Sequence, residues 1–245
     1  TGSDLSSRAY GGLEGSAMSI TVYSANYGGK DDLREPYIDS SWSKDLKFVY
    51  FTDQKFESDV WEFVVEKKQG DANRIAKWYK VNSHELFPGE ITLWLDANIR
   101  LNGDPTDLVH GWEHMLLNRH SKRKDVYEEA DFCIKAGIGV KEDIEMQMAA
   151  YKMNEYPILS GLYKGGMLFR KPTDVITKFN KEWWEQIKRY SSRDQLSLAY
   201  VLYQQRVIFN TYLGSRKYFS RNGRHLYKGT KELVSFCSSL GRRKP

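Results

Sequence analysis

Asp96 and Asn98 stand two residues apart in the stretch ITLWLDANIRLNGDP, residues 91–105. In an extended segment positions i and i+2 share a face, so a carboxylate and a carboxamide oxygen can approach one ion or one ligand together. Oxygen donors of this kind suit Mn²⁺ or Mg²⁺, which also bridge phosphate oxygens. Asp and Asn are equally common as turn formers at a strand end, and that plainer reading stands beside the first.

Three other groups carry chemistry. Arg74, Lys77 and Lys80 recur every three residues in RIAKWYK, a spacing that on a helix gathers cations for a diphosphate, or simply makes a solvated face. HSKRKDVYEEA concentrates His120, Arg123, Asp125, Glu128 and Glu129. These could contact a sugar or supply a general base; alternatively Asp125 caps a helix and Glu128 completes a capping box. In YSSRDQLSLAYVL, Asp194 and Gln195 fall at a helix start, where amide donors and the dipole favour an anion. Ser191 with Asp194 and Ser192 with Gln195 also fit capping-box spacing.

The elements that position these residues alternate. Ile20–Tyr23 reads as a strand ending in Ser24 to Gly29, Leu46–Phe51 as one ending in Thr52-Asp53, and Ile91–Leu95 as a third. Ile75, Trp78 and Tyr79 have helical spacing between the second and third, which implies a crossover and parallel pairing. Ligands of such sheets bind beyond the carboxyl ends of the strands. Tyr27, Gly28, Asp53, Asp96 and Asn98 are therefore the positions to examine. Farther on, Ile144, Met148 and Tyr151 mark one helix, Ile176, Phe179, Trp183, Ile187 and Tyr190 another, and GLYKGGMLFRKP a Gly-rich approach to a short strand at Met167–Arg170.

The pattern is α/β in one domain over 18–245, with the small, polar, Gly-rich segment 1–17 set aside as an expression-derived or disordered leader. Lys+Arg at 37 against Asp+Glu at 32 gives a net charge of +5, suited to a small anionic ligand rather than a nucleic-acid track. Cys133 and Cys237 can make neither a disulfide framework nor a four-cysteine zinc site. The chain contains no P-loop, G-x-G-x-x-G, G-x-S-x-G or H-E-x-x-H motif. No apolar run approaches the ~18–20 residues of a membrane span, so the expected location is cytoplasmic, or peripheral at a membrane.

Taken in order, ITVYSANYGGKDDLREP, KFVYFTDQ, RIAKWYK, LWLDANI, HSKRKDVYEEA, GLYKGGMLFRK and KEWWEQIKRYSSRDQLSLAYVL resemble a glycosyltransferase-like family once catalogued only as a domain of unknown function, which includes plant mucilage-related hexosyltransferases and bacterial and viral members. The likeness covers roughly residues 18–205. It implies a GT-A fold, a Rossmann-like mixed sheet flanked by helices, and transfer of a sugar from a UDP- or GDP-linked donor to a glycan or polysaccharide acceptor. The motifs also look like those of glycosyltransferase family 8. On that resemblance Tyr27, Gly28 and Asp53 would meet the nucleotide, and Arg74, Lys77, His120, Arg123, Glu128 and Glu129 the rest of the nucleotide-sugar. Asp96 and Asn98 would hold Mn²⁺ or Mg²⁺, and Asp194 and Gln195 would be catalytic, with a tilt toward retention at the anomeric carbon. Asn98 departs from the family-8 pattern by replacing a second carboxylate, and the alternative is a catalytically silent nucleotide- or glycan-binding module on the same fold.

Overall fold

The computed structural model describes residues 19–42, 44–212 and 217–221. Segment 1–17 and everything after 221, Cys237 included, lie outside the described residues. Strands β1 (Ile20–Asn26), β2 (Leu46–Thr52), β3 (Glu62–Val65), β4 (Ile91–Leu95), β6 (Met115–Arg119), β7 (Tyr163–Arg170) and β8 (Phe209–Thr211) form a seven-stranded mixed sheet in the order β3-β2-β1-β4-β7-β6-β8, and β5 (Ile99–Leu101) pairs antiparallel with β9 (Phe219–Arg221). Helices are α1 (Ala72–Val81), α2 (Ser83–Leu86), α3 (Val126–Lys135), α4 (Lys141–Met153), α5 (Asp174–Arg189) and α6 (Asp194–Gln204). This mixed α/β architecture is the one the resemblance implies.

β1 lies between β2 and β4 and is parallel to both. The chain reaches β4 from the β3 edge through α1, the crossover expected from the spacing of Ile75, Trp78 and Tyr79. From β1 to β2 it crosses without a helix, because residues 27–45, with Gly28, Gly29 and Pro36, carry no helical period. β7 runs antiparallel to β4 with Trp94 opposite Leu168 and Leu95 opposite Met167.

The period-two alternation of the central strands sorts their side chains onto two faces. Tyr23, Trp94, Leu117 and Leu168 join Tyr79, Cys133, Ile144, Phe179, Trp183 and Leu198 of the helices in one core. Val22, Leu93, Leu95, Met167 and Phe169 face the opposite way, against Trp61 and Trp112 of the connecting segments. All six α-helices among the described residues thus load one side of the sheet.

Two buried anchors fix the helices that matter for the site. Arg170, 1% exposed, donates to the carbonyls of Lys80 (2.7 Å) and Val81 (3.1 Å), to Asn180 Oδ1 (3.1 Å) and to the Tyr23 hydroxyl. A guanidinium against the last carbonyls of α1 satisfies acceptors that no turn follows, and complements the negative end of the helix dipole. Trp183 of α5, wholly buried, donates from Nε1 to the Asp194 carbonyl and to Ser197 Oγ, each at 3.1 Å, and so pins the first turn of α6. The capping boxes expected there do not form. Arg193 occupies the N-cap but its side chain makes no capping bond, and Ser191 Oγ instead accepts from the Arg193 amide at 3.2 Å.

Candidate functional site

The chain leaves β1 toward β2 and returns on its other side at β4, so the carboxyl ends of β1 and β4 flank a topological switch point, the place where ligands of such sheets bind. At its β1 side Tyr27 lies parallel to Tyr79 (5.4 Å between centroids, 9°), which in turn stacks on Phe51 (4.3 Å, 24°). Asp53 follows β2 and accepts from the Gly28 amide through Oδ2 at 3.0 Å; its Oδ1 is buried and has no hydrogen-bond partner among the described residues. Gly28 has φ +72°, and a Cβ there would stand 3.0 Å from the Cβ of Ala72, so both the turn and the approach of α1 demand glycine.

At the β4 side the charges alternate. Lys77 Nζ is 2.8 Å from Asp194 Oδ1, Lys80 Nζ is 2.5 Å from Asp194 Oδ2, and the same ammonium is 3.1 Å from Asp96 Oδ1. Trp94 Nε1 donates to Asp96 Oδ1 at 2.9 Å, while Arg221 Nη2 stands 3.9 Å from Asp96 Oδ2. The i, i+3 spacing on α1 brings both lysines to one face, as RIAKWYK allows. Burial alone would raise the Asp96 carboxyl, but Lys80 and Lys77 overcome it and hold it at about 2. The same contest, with Lys77 and Lys80 closer still, places Asp194 well below the usual carboxylate range. Burial pulls the Lys77 amine down, whereas for Lys80 the two carboxylates outweigh burial and push it up.

The approach of these charges to the sheet explains the glycine pair of β7. A Cβ on Gly165 would lie 2.9 Å from both Asp194 Oδ2 and Lys80 Nζ, and one on Gly166 3.1 Å from Asp96 Oδ2. The Asp96 amide also donates to the Gly166 carbonyl at 2.8 Å.

A second charge group adjoins the first through the chain. Glu129, 1% exposed, pairs with Arg123 and, at 3.6 Å, with Arg193 Nη2; Cys133 Sγ donates to it at 3.6 Å. His120 Nδ1 accepts from the Arg123 amide at 2.8 Å, and burial followed by the Arg123 charge lowers its imidazole. Asp125 caps α3, accepting from the Tyr127 (2.9 Å) and Glu128 (3.0 Å) amides, and it also accepts from Leu159 N at 3.0 Å. Arg193 thus ties α3 to the start of α6.

Of the residues singled out from sequence, Tyr27, Gly28 and Asp53 gather beyond β1 and β2, and Lys80 brings Asp96 together with Asp194 and Lys77 beyond β4. His120, Arg123 and Glu129 form the adjoining group. Gln195 stands next to Asp194 with Nε2 buried and without a partner among the described residues. Glu128 turns away to the Lys124 amide at 2.8 Å. Arg74 is committed elsewhere, to the carbonyls of Ile187 and Tyr190 (2.9 Å) and toward Asp143 at 3.7 Å, and so joins α1 to the end of α5. Lys80 entered the sequence reading only as the third cation of the RIAKWYK repeat, and the Gly165-Gly166 pair only as the Gly-rich approach to a strand; neither was expected to sit against the two carboxylates.

Asp96 and Asn98 are not on one extended face. β4 ends at Leu95, and Ile99 N donates to Asp96 O at 2.8 Å, closing a turn over 96–99 in which Asn98 is buried. Asp96 Oδ1 is already bonded to Trp94 and Lys80, and both oxygens of Asp194 to ammonium groups. Among the described residues no group of three or more His, Cys, Asp or Glu could hold a metal ion. This donor set does not fit a divalent cation. Nor is any described helix long and apolar enough to cross a membrane.

The TOD1/MUCI70, glycosyltransferase-like domain profile matches residues 57–217. The chain is 27% identical over 213 residues to the probable hexosyltransferase MUCI70 of Arabidopsis thaliana, a match over 74% of this chain and 37% of that protein, so the chain spans little more than a third of that relative. Among solved structures, the apo WbbM bifunctional glycosyltransferase aligns with a TM-score of 0.48 at 12% identity (83% of this chain, 40% of that one). The glycosyltransferase GlyE of Streptococcus pneumoniae TIGR4 aligns with a TM-score of 0.39 at 10% identity (81% and 46%).

Proposed function

The chain belongs to the TOD1/MUCI70 glycosyltransferase-like family, and from that premise we propose that it transfers a hexose from a UDP- or GDP-linked donor to a glycan or polysaccharide acceptor. The observation that carries this reading is the joining of Asp96, after β4, to Asp194, at the start of α6, through the Lys80 ammonium, with Asp53 following the nearby strand β2. Asp53, whose Oδ1 has no hydrogen-bond partner among the described residues, suits a ribose hydroxyl or a base N–H.

Glycosyl transfer breaks the bond between the anomeric carbon and the diphosphate oxygen, and the leaving group gains negative charge. Cations at fixed positions stabilise that charge without reorganisation. Lys77, Lys80 and Arg221 are the cations nearest Asp96 and Asp194. The depressed carboxyl of Asp194, saturated by two ammonium groups, is a poor proton acceptor near neutrality. Asp125 and Glu129 are committed to the α3 cap and to arginines. With these carboxylates engaged, the arrangement favours a retaining, front-face route in which Gln195 and Asp194 orient the sugar. The same saturation of Asp194 is what favours the second reading, a silent binding module.

Release of nucleoside diphosphate from UDP- and GDP-hexoses separates the two. Turnover that drops about a hundredfold or more in Asp194→Asn supports the transferase. Nucleotide binding without any release supports the module.

A further inference from the structure

We propose that this chain uses no divalent cation at the end of β4, because the ammonium of Lys80 already holds the place between Asp96 and Asp194. The consequence for catalysis rests on the glycosyltransferase reading, while the geometry stands without it. Lys80 Nζ reaches Asp194 at 2.5 Å and Asp96 at 3.1 Å, and Lys77 Nζ closes the row at 2.8 Å. Two ammonium groups and two carboxylates cancel, so the cluster offers no net negative charge to a second cation. Lys80 is 1% exposed, which makes it part of the packed interior and not a side chain that swings aside for a metal. The Gly165-Gly166 backbone closes the remaining side, with the position of a Gly165 Cβ only 2.9 Å from Lys80 Nζ.

What a donor diphosphate meets instead are the cations at the rim of this cluster. Arg221 Nη2 stands 3.9 Å from Asp96 Oδ2 and would be 3.5 Å from a Cβ on Gly166. Lys164 lies on the same strand, one residue before Gly165 and two before Gly166, and its amine is lowered by burial and by the Arg221 charge. Like charges held this close gain by accepting an anion between them. Lys80 is then a positioning residue, keeping Asp96 and Asp194 apart and neutral in sum while Arg221 and Lys164 take the phosphates.

Two measurements on the whole chain decide this. In Mn²⁺ titrations followed by electron paramagnetic resonance, the wild-type protein leaves the free-ion signal undiminished. Lys80→Ala, with Asp96 and Asp194 facing a vacated position, gains Mn²⁺ affinity by about tenfold or more. Should Lys80→Ala fail to fold, the comparison of wild type with Asp96→Asn decides: Mn²⁺ bound by the wild type and lost in Asp96→Asn overturns the proposal. In the second measurement, UDP and GDP are titrated calorimetrically in chelator and in excess Mn²⁺. Affinities within about twofold of each other support the proposal, and a loss of tenfold or more in chelator overturns it. Binding of neither nucleotide in either buffer removes the glycosyltransferase reading, and the Mn²⁺ titration then decides the place of Lys80 alone.

Discussion

Lys80 Nζ stands between Asp194 Oδ2, at 2.5 Å, and Asp96 Oδ1, at 3.1 Å, and joins the start of α6 to the end of β4. One residue of α1 thereby sets the distance between the two carboxylates on which the proposed chemistry depends. Removing it leaves both acids buried with Lys77 as the nearest compensating charge. Lys80→Met should lose about 3–5 kcal/mol of stability, the usual consequence of breaking a buried ion pair on one side. Chemical denaturation read by tryptophan fluorescence measures this, and a loss below 1 kcal/mol would mean that the pairing is ornamental.

Gly165→Ala tests the packing against β7. Its methyl would meet Asp194 Oδ2 and Lys80 Nζ at 2.9 Å, and both partners are held by their ion pair. The expected loss is about 1–3 kcal/mol, typical of overpacking. Gly137→Ala makes a useful control: nothing lies within 4 Å of its added Cβ, so only the left-handed φ of +62° is strained. A Gly165→Ala protein no less stable than that control would remove the steric argument.

The acid limb of stability follows from Asp96 and Asp194. Each carboxyl titrates lower in the folded chain than its unfolded value of ~3.9, Asp96 at about 2. Below the unfolded value the denatured chain binds protons that the native chain refuses. Their contribution is therefore complete above pH ~4–5 and drains away as pH falls toward about 2. Asp96→Asn should flatten that part of the pH–stability curve, although the variant is less stable at pH 7. An unaltered acid slope would show that Asp96 is not held by Lys80.

Arg74 distinguishes the helical repeat from the site. Its guanidinium serves the carbonyls of Ile187 and Tyr190, with Asp71 and Asp143 at 3.9 and 3.7 Å. Arg74→Gln should lower the melting temperature by a few degrees, roughly the effect of 1 kcal/mol on a chain of this size, and leave the affinity for any nucleotide unchanged. A tenfold loss of nucleotide affinity without loss of stability would place Arg74 at the diphosphate instead.

These residues also show where the sequence was legible. Strands β1, β2 and β4 and helices α4 and α5 declared themselves through period and punctuation, and Asp125 through its cap. β3, with its outer residues exposed at the sheet edge, and β6, the short apolar run MLLNR, lacked the alternation that distinguishes a strand. The i, i+2 argument for Asp96 and Asn98 presupposed that the strand continues, and it fails because β4 stops at Leu95. Lys80 was hidden for a different reason. Its partners are 16 and 114 residues away, so the i, i+3 repeat marked it as one of three cations but could not say which acids it meets. Arg170 looked like the last residue of a strand, and only the fold reveals that it closes α1.

Nucleotide-sugar binding beyond the carboxyl ends of β1 and β4 is what the proposed transfer requires. It is tested most directly by thermal denaturation of the purified chain with UDP, GDP and their hexose conjugates, in parallel with Asp53→Ala. Binding to the native state raises the melting temperature by mass action. A rise is expected with at least one of these ligands, and it is lost in Asp53→Ala; no rise with any of them, or the same rise in both proteins, would contradict nucleotide-sugar binding at this site.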